Sequence, residues 1–212
     1  MTDEKALEMR RVFGSIHANR AWGDSESVSG PGSTRERAAA FLPDLIGLVQ
    51  SLQLQSLVDA PCGDFNWAAP LADAVPGYIG VDVVPELIEA NQRYASDRRQ
   101  FLCLDMITES LPPADAILCR DGLVHLCIDD IFAALANFRR SGARFLLTTT
   151  FIGDRGNVDI ETGGWRPLNL ERAPFSFPPP AASVDERCHH TGGVYSDKRL
   201  ALWRIEDLPL GR

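Results

Sequence analysis

At 212 residues, 45% of them hydrophobic and 24% charged, the chain is long enough for one full α/β domain with a good core and short for two. Its net charge of -8 argues against a nucleic-acid backbone as the main partner, which needs clustered Lys and Arg. No apolar run approaches a membrane span, and Met1-Thr2-Asp3-Glu4-Lys5 lacks the basic-then-apolar form of a signal peptide, so no membrane contact and a cytoplasmic location are expected.

Residues 3–20 set Ala6, Leu7, Met9, Val12, Phe13 and Ile16 among charges at near-helical spacing, which predicts an amphipathic N-terminal helix. A Gly/Ser-rich stretch from Ala21 to Thr34 follows. It contains a tryptophan and has no second domain to link, so it reads as a lid that contacts the ligand, with Trp22 and Ser33 as cofactor contacts. Ser33 or Thr34 can cap a helix from about Arg35 to Leu52, in which Pro43 implies a kink or a new start. Strands are expected at Leu57–Ala60, Tyr78–Val83, Arg99–Leu104, Ala116–Cys119 and Arg144–Phe151. Helices are expected between them at Trp67–Ala74, Pro85–Ser96 and Ile128–Arg139. Prolines and glycines crowd residues 153–180, and Val194-Tyr195 with Leu200–Ile205 read as a closing antiparallel hairpin. The expected fold is α/β: a Rossmann-like, doubly wound sheet, mostly parallel, in a single domain. Residues 1–54 supply helices and lid, 55–151 the cofactor-binding core, and 152–212 a substrate-side insertion and the hairpin.

Ser56-Leu57-Val58-Asp59-Ala60-Pro61-Cys62-Gly63-Asp64-Phe65, followed by Tyr78-Ile79-Gly80-Val81-Asp82, carries the strongest signal. Two apolar runs end in acids about 20 residues apart, the layout of a nucleotide-type site beyond the ends of parallel strands. A dinucleotide site wants glycines where this turn has Ala60 and Pro61, and Asp64 is unwelcome beside a pyrophosphate. That speaks against a nicotinamide dehydrogenase. The acids suit a phosphate-free ligand with an ammonium group, such as S-adenosylmethionine. Asp59, Gly63 and Asp64 then shape the first turn, and Asp82 accepts from ribose hydroxyls, since a buried carboxylate needs partners. Asp105, in Cys103-Leu104-Asp105-Met106, faces the adenine with Met106 packed on the ring; a helix cap is its alternative role. Trp67 reads as core. Arg120 is preferred for the methionyl carboxylate, while Arg35 is as readily a solvated helix charge.

Over roughly residues 55 to 150 these features resemble a class I S-adenosylmethionine-dependent methyltransferase. A closer resemblance runs through nearly the whole chain. It rests on Ser29-Gly30-Pro31-Gly32-Ser33-Thr34, the Asp59 to Phe65 turn, Cys119-Arg120-Asp121-Gly122-Leu123-Val124-His125-Leu126 and Gly163-Gly164-Trp165-Arg166-Pro167-Leu168-Asn169-Leu170. The family is a bacterial one of O-methyltransferases acting on small sugars and polysaccharide precursors, as in the methylmannose polysaccharide pathway. The resemblance implies methyl transfer to a hydroxyl of a mono- or oligosaccharide. Acceptance by a phenol, carboxylate or amine, and a non-catalytic cofactor-binding role, stay open beside it.

An alcohol acceptor must be aligned and lose its proton. His125 is the expected base and Asp121, four residues earlier, its orienting partner if the segment is helical. Magnesium is the other way to acidify a hydroxyl, with Asp121, Asp154 and Asp159 as oxygen ligands, although no close triad stands out. In the insertion, Trp165 can stack on a sugar face while Asp159, Arg166 and Asn169 bond its hydroxyls, with Phe175 and Phe177 on the same wall; a loop that merely covers the sheet edge is the alternative. The five cysteines fit a reducing compartment, and Cys188-His189-His190 is too small a cluster for a zinc site. A homodimer is the one protein partnership this reading admits.

Overall fold

The computed structural model describes residues 2–189 and 192–209. Seven strands form one sheet in the order β3-β2-β1-β4-β5-β7-β6. These are β1 Ser56–Asp59, β2 Gly77–Asp82, β3 Arg99–Cys103, β4 Ala116–Cys119, β5 Phe145–Phe151, β6 Ala182–Asp185 and β7 Lys198–Arg204. The first five run parallel, and β7 lies antiparallel to both β5 and β6. Strand order reverses between β1 and β4, so the crevice at the strands' C-terminal ends opens there, where α/β sheets bind ligands.

Strand side chains alternate between the two faces, and both faces are covered. Val58, Ile117, Leu146 and Trp203 pack on one side with Ile131, Leu135 and Phe138 of α6, Ile128–Arg140. Leu57, Leu118, Leu147 and Leu202 pack on the other. There they meet α3 (Leu42–Ser51), α4 (Ala69–Asp73) and α5 (Pro85–Asn91). The N-terminal helix α1, Thr2–Ala18, sends Met9 into the first of these cores.

The stretch read as one helix from Arg35 to Leu52 is two, α2 (Arg35–Ala39) and α3, with Pro43 in the first turn of the second. Thr34 caps α2 by accepting from the Arg37 amide. The closing hairpin pairs β7 with Ala182–Asp185, not with Val194-Tyr195. Gly192 and Gly193 take left-handed φ of 66° and 80°, which puts Val194 and Tyr195 in the turn that feeds β7. Residues 152–181 hold no helix or strand. No helix among the described residues is long and apolar enough to cross a membrane.

Candidate active site

A cavity lies over the C-terminal ends of β1, β2 and β4. Asp59, Gly63, Asp64, Asp82, Asp105, Met106, Arg120, Asp121, His125, Trp22 and Ser33 all line it, so the cofactor-side and catalytic residues named from sequence converge on one space. Trp67 lines it too, while stacking edge-on to Phe41. Arg35 does not line it; it is exposed and donates to Asn66.

The first turn is built around Gly63. At its φ of 55° a side chain is strained, and a Cβ would collide with the Ser29 hydroxyl. That hydroxyl accepts from the Asp64 amide at 3.2 Å. Asp64 in turn accepts from the Ser27 hydroxyl at 2.8 Å and the Val28 amide at 3.0 Å. The 21–34 loop is thereby latched onto the β1 turn through Asp64.

Asp82 accepts from the Gly63 and Val84 amides, both at 3.0 Å, and holds the turn in place. Burial still pushes its carboxyl above the usual range. Burial also pushes Asp59 up to about 7, although the Tyr78 hydroxyl donates to it at 2.6 Å. Carboxyls raised in this way are stabilised by further donors from a ligand. Asp105 faces the cavity and accepts from the Ile107 amide and the Thr108 hydroxyl; the segment after it is a turn, so there is no helix for it to cap. His17, a residue not singled out from the sequence, lines the same space with a buried Nδ1 that meets no partner among the described residues. Its spacing of four residues from Phe13 and eight from Met9, which line the cavity with it, is the available signal.

Arg120 is buried, and its Nε and Nη2 are taken by Glu186 and the Gly32 carbonyl, with the guanidinium stacked over Phe41 and Trp67. Among the described residues no hydrogen bond takes Nη1, which leaves it for a ligand carboxylate. Asp121 sits just past β4 at a φ of 53°, with Lys198 Nζ at 2.6 Å and Arg120 at 3.5 Å. Burial alone would raise its carboxyl, but Lys198 and Arg120 outweigh that and hold it well below the usual range.

His125 ends a 3-10 turn, Leu123–His125, instead of the expected helix, and Asp121 does not hydrogen-bond to it. The Gly164 carbonyl, 2.7 Å from Nδ1, is the orienting partner. A carbonyl only accepts, so Nδ1 carries the proton and Nε2 is free to take one. Trp22 stacks on the imidazole with ring centroids 4.6 Å apart. Burial moves the histidine below its usual pKa, more than the Gly164 bond and the Asp121 charge raise it.

A second cavity shares Trp22, Ser29, Arg120, Asp121 and His125 with the first. Trp165, Tyr195, Phe151 and Phe41 supply aromatic wall, and Lys198, Glu186 and Arg37 line it as well. Of the substrate contacts expected in the insertion, only Trp165 lies here, 43% exposed and edge-on to Tyr195.

The other three are structural. Arg166 is buried and donates to the carbonyls of Leu123, Val124, Leu126 and Val158. Asn169 is buried and donates to the Gly153 carbonyl. Asp159 accepts from the Ile128 amide at the start of α6. Phe175 and Phe177 are core, against Phe132 and Trp203.

The acids proposed for magnesium are not gathered. Asp121 pairs with Lys198, Asp154 with Arg172, and Asp159 caps α6. Among the described residues no three His, Cys, Asp or Glu side chains group to hold a metal. The donor set does not fit magnesium. His190, of the Cys188-His189-His190 cluster, lies outside the described residues.

No family model matches the chain. It is 28% identical over 164 residues to a protein of Mycobacterium tuberculosis named as an uncharacterized methyltransferase, and to one of the same description in Mycobacterium bovis. Each match covers 68% of this chain and 80% of the relative. Among solved structures it is similar to magnesium protoporphyrin IX methyltransferase from Synechocystis PCC 6803 with bound SAM, with a TM-score of 0.54, 17% identity, and 74% of this chain and 81% of that chain covered. It is also similar to the DhpI-SAM-HEP complex, with a TM-score of 0.50, 15% identity, and 70% and 67% covered. At these identities the structural likeness is one of fold, and that fold is the mostly parallel seven-stranded methyltransferase sheet.

Proposed function

We propose that this chain, an S-adenosylmethionine-dependent methyltransferase, transfers a methyl group to a hydroxyl of a small saccharide. S-adenosylmethionine, when bound, supplies an electrophilic methyl group on a sulfonium. The first cavity suits it: two strand-end acids, an orphaned histidine nitrogen and no phosphate cradle match a phosphate-free, cationic nucleoside. In this reading Asp82 and His17 receive the ribose hydroxyls, Asp105 and Met106 hold the adenine, and Arg120 Nη1 receives the methionyl carboxylate.

The observation that carries the reading is the meeting of two cavities at His125, whose Nε2 is unprotonated and oriented. A hydroxyl entering from the second cavity gives its proton to that nitrogen as the C–O bond forms. Trp165 and Tyr195 offer flat apolar faces of the kind on which sugar C–H surfaces stack. The resemblance in sequence points to the same acceptor class.

The test is a panel of mono- and oligosaccharides, phenols and amines assayed with labelled cofactor, the product's methylated atom being located by mass spectrometry. Saccharide O-methylation is expected. Trp165→Ala should raise acceptor KM while cofactor affinity stays nearly constant; the reverse pattern would move Trp165 to the cofactor side.

Asp82→Ala is expected to weaken S-adenosylmethionine binding about 10-fold or more, since a hydrogen bond to a charged group contributes roughly 1.5–3 kcal/mol. Calorimetry on a folded variant with unchanged affinity would remove the ribose role.

A further inference from the structure

We infer that the second cavity binds an acidic acceptor, one carrying a carboxylate or phosphate that Arg37 recognises while another of its groups reaches His125. The inference rests on that cavity being the acceptor site. Although the chain is acidic overall, four cationic side chains line this cavity, Arg37, Arg120, Arg187 and Lys198, against two anionic ones, Asp121 and Glu186.

The pairings within the cavity sharpen the imbalance. Arg120 and Lys198 both bond Glu186, at 2.6 and 3.1 Å, and Lys198 and Arg120 flank Asp121. Both carboxylates are thus compensated in charge, and what Glu186 still offers is one buried oxygen, Oε1, with no hydrogen-bond partner among the described residues, an acceptor for a ligand hydroxyl. Arg187 is held from outside by Asp44 at 2.5 Å. Among the described residues no carboxylate pairs with Arg37, a half-buried residue of α2, although it lines this cavity and not the first.

An uncompensated guanidinium at a concave wall raises the local concentration of anions and pairs with a carboxylate or phosphate in a forked geometry. The same field disfavours an ammonium-bearing acceptor. With the aromatic wall formed by Trp165 and Tyr195, the acceptor is a hydroxylated ring that bears an acid, such as a uronic acid or a sugar phosphate.

The test titrates matched pairs into protein loaded with S-adenosylhomocysteine: glucuronate against glucose, and 4-hydroxybenzoate against phenol. In a pair that binds, the acid should bind roughly 10- to 100-fold more tightly than its neutral partner, as a charge-assisted hydrogen bond warrants. Arg37→Ala should collapse that ratio toward one and Arg37→Lys keep part of it, with S-adenosylhomocysteine affinity serving as the check that each variant is folded. Equal affinity of acid and neutral partner, a preference that survives Arg37→Ala, or no binding of either acid overturns the inference. Preference for 4-hydroxybenzoate over phenol with no saccharide bound would retire the sugar reading and leave the anion site standing.

Discussion

His125→Ala is expected to lower kcat by about 10²- to 10⁴-fold, the usual contribution of a general base, with cofactor affinity preserved. The structure alters how that base is set up. The expected Asp121 partner would have raised the histidine pKa and moved the acid limb of the rate profile upward. Asp121 is instead neutralised by Lys198 and Arg120, and a backbone carbonyl orients the ring. Burial then dominates and lowers the pKa below its ordinary value of 6.5. Catalysis needs the neutral imidazole, so activity falls as pH drops through that lowered value, and the limb lies below 6.5. Asp121→Asn removes a charge that favours the imidazolium and should move the limb lower still. A limb above 6.5, or one unmoved in Asp121→Asn, would contradict this electrostatic account. A chelator separates the magnesium alternative: strong inhibition together with a mild His125→Ala effect would assign activation to a metal.

The parallel core was legible because its signals are local. β1, β2 and β4 are short runs of mostly apolar residues, β5 joins an apolar start to β-branched threonines, and a buried acid at a strand end needs donors from a turn or a ligand. Asp59, Asp82 and Asp105 reach the cavity for that reason. Val194-Tyr195 looks β-prone in isolation, but the two left-handed glycines before it decide the conformation, and β7 pairs with β6 instead. The ion network of Arg120, Asp121, Glu186 and Lys198 joins the β4 end to β6 and β7 across sequence separations of up to 77 residues, which no spacing rule anticipates.

The insertion meets the same limit. By residue type alone, a polar residue in a loop reads as pointing at a ligand. In a stretch without helix or strand, however, the backbone's own carbonyls need partners, and Arg166 and Asn169 are spent on that need. Trp165, an exposed aromatic beside them, has no such obligation and faces the cavity.

Arg166→Ala is accordingly expected to act on stability first. The guanidinium bonds the carbonyls of Leu123, Val124 and Leu126 through Nη1 and Nη2, at 2.6 to 3.1 Å, and that of Val158 through Nε at 3.2 Å. Two of those four carbonyls belong to the turn that carries His125, and a third, that of Leu126, follows it directly. The Leu123 and Val124 carbonyls keep backbone donors in the Leu126 and Arg166 amides, and Val158 is exposed, so the Leu126 carbonyl is the buried acceptor left without a donor, a loss of about 1–3 kcal/mol. For a chain of this length that lowers Tm by roughly 2–12 °C. Arg166→Lys should recover little, because one ammonium cannot span four carbonyls that a planar fork reaches together. Activity should fall through kcat, since the turn no longer holds the imidazole in register, while acceptor KM changes much less. If Arg166 were instead a substrate contact, KM would rise with Tm unchanged. Thermal unfolding and steady-state kinetics on the same two variants decide between a residue that touches the acceptor and one that holds the base in place.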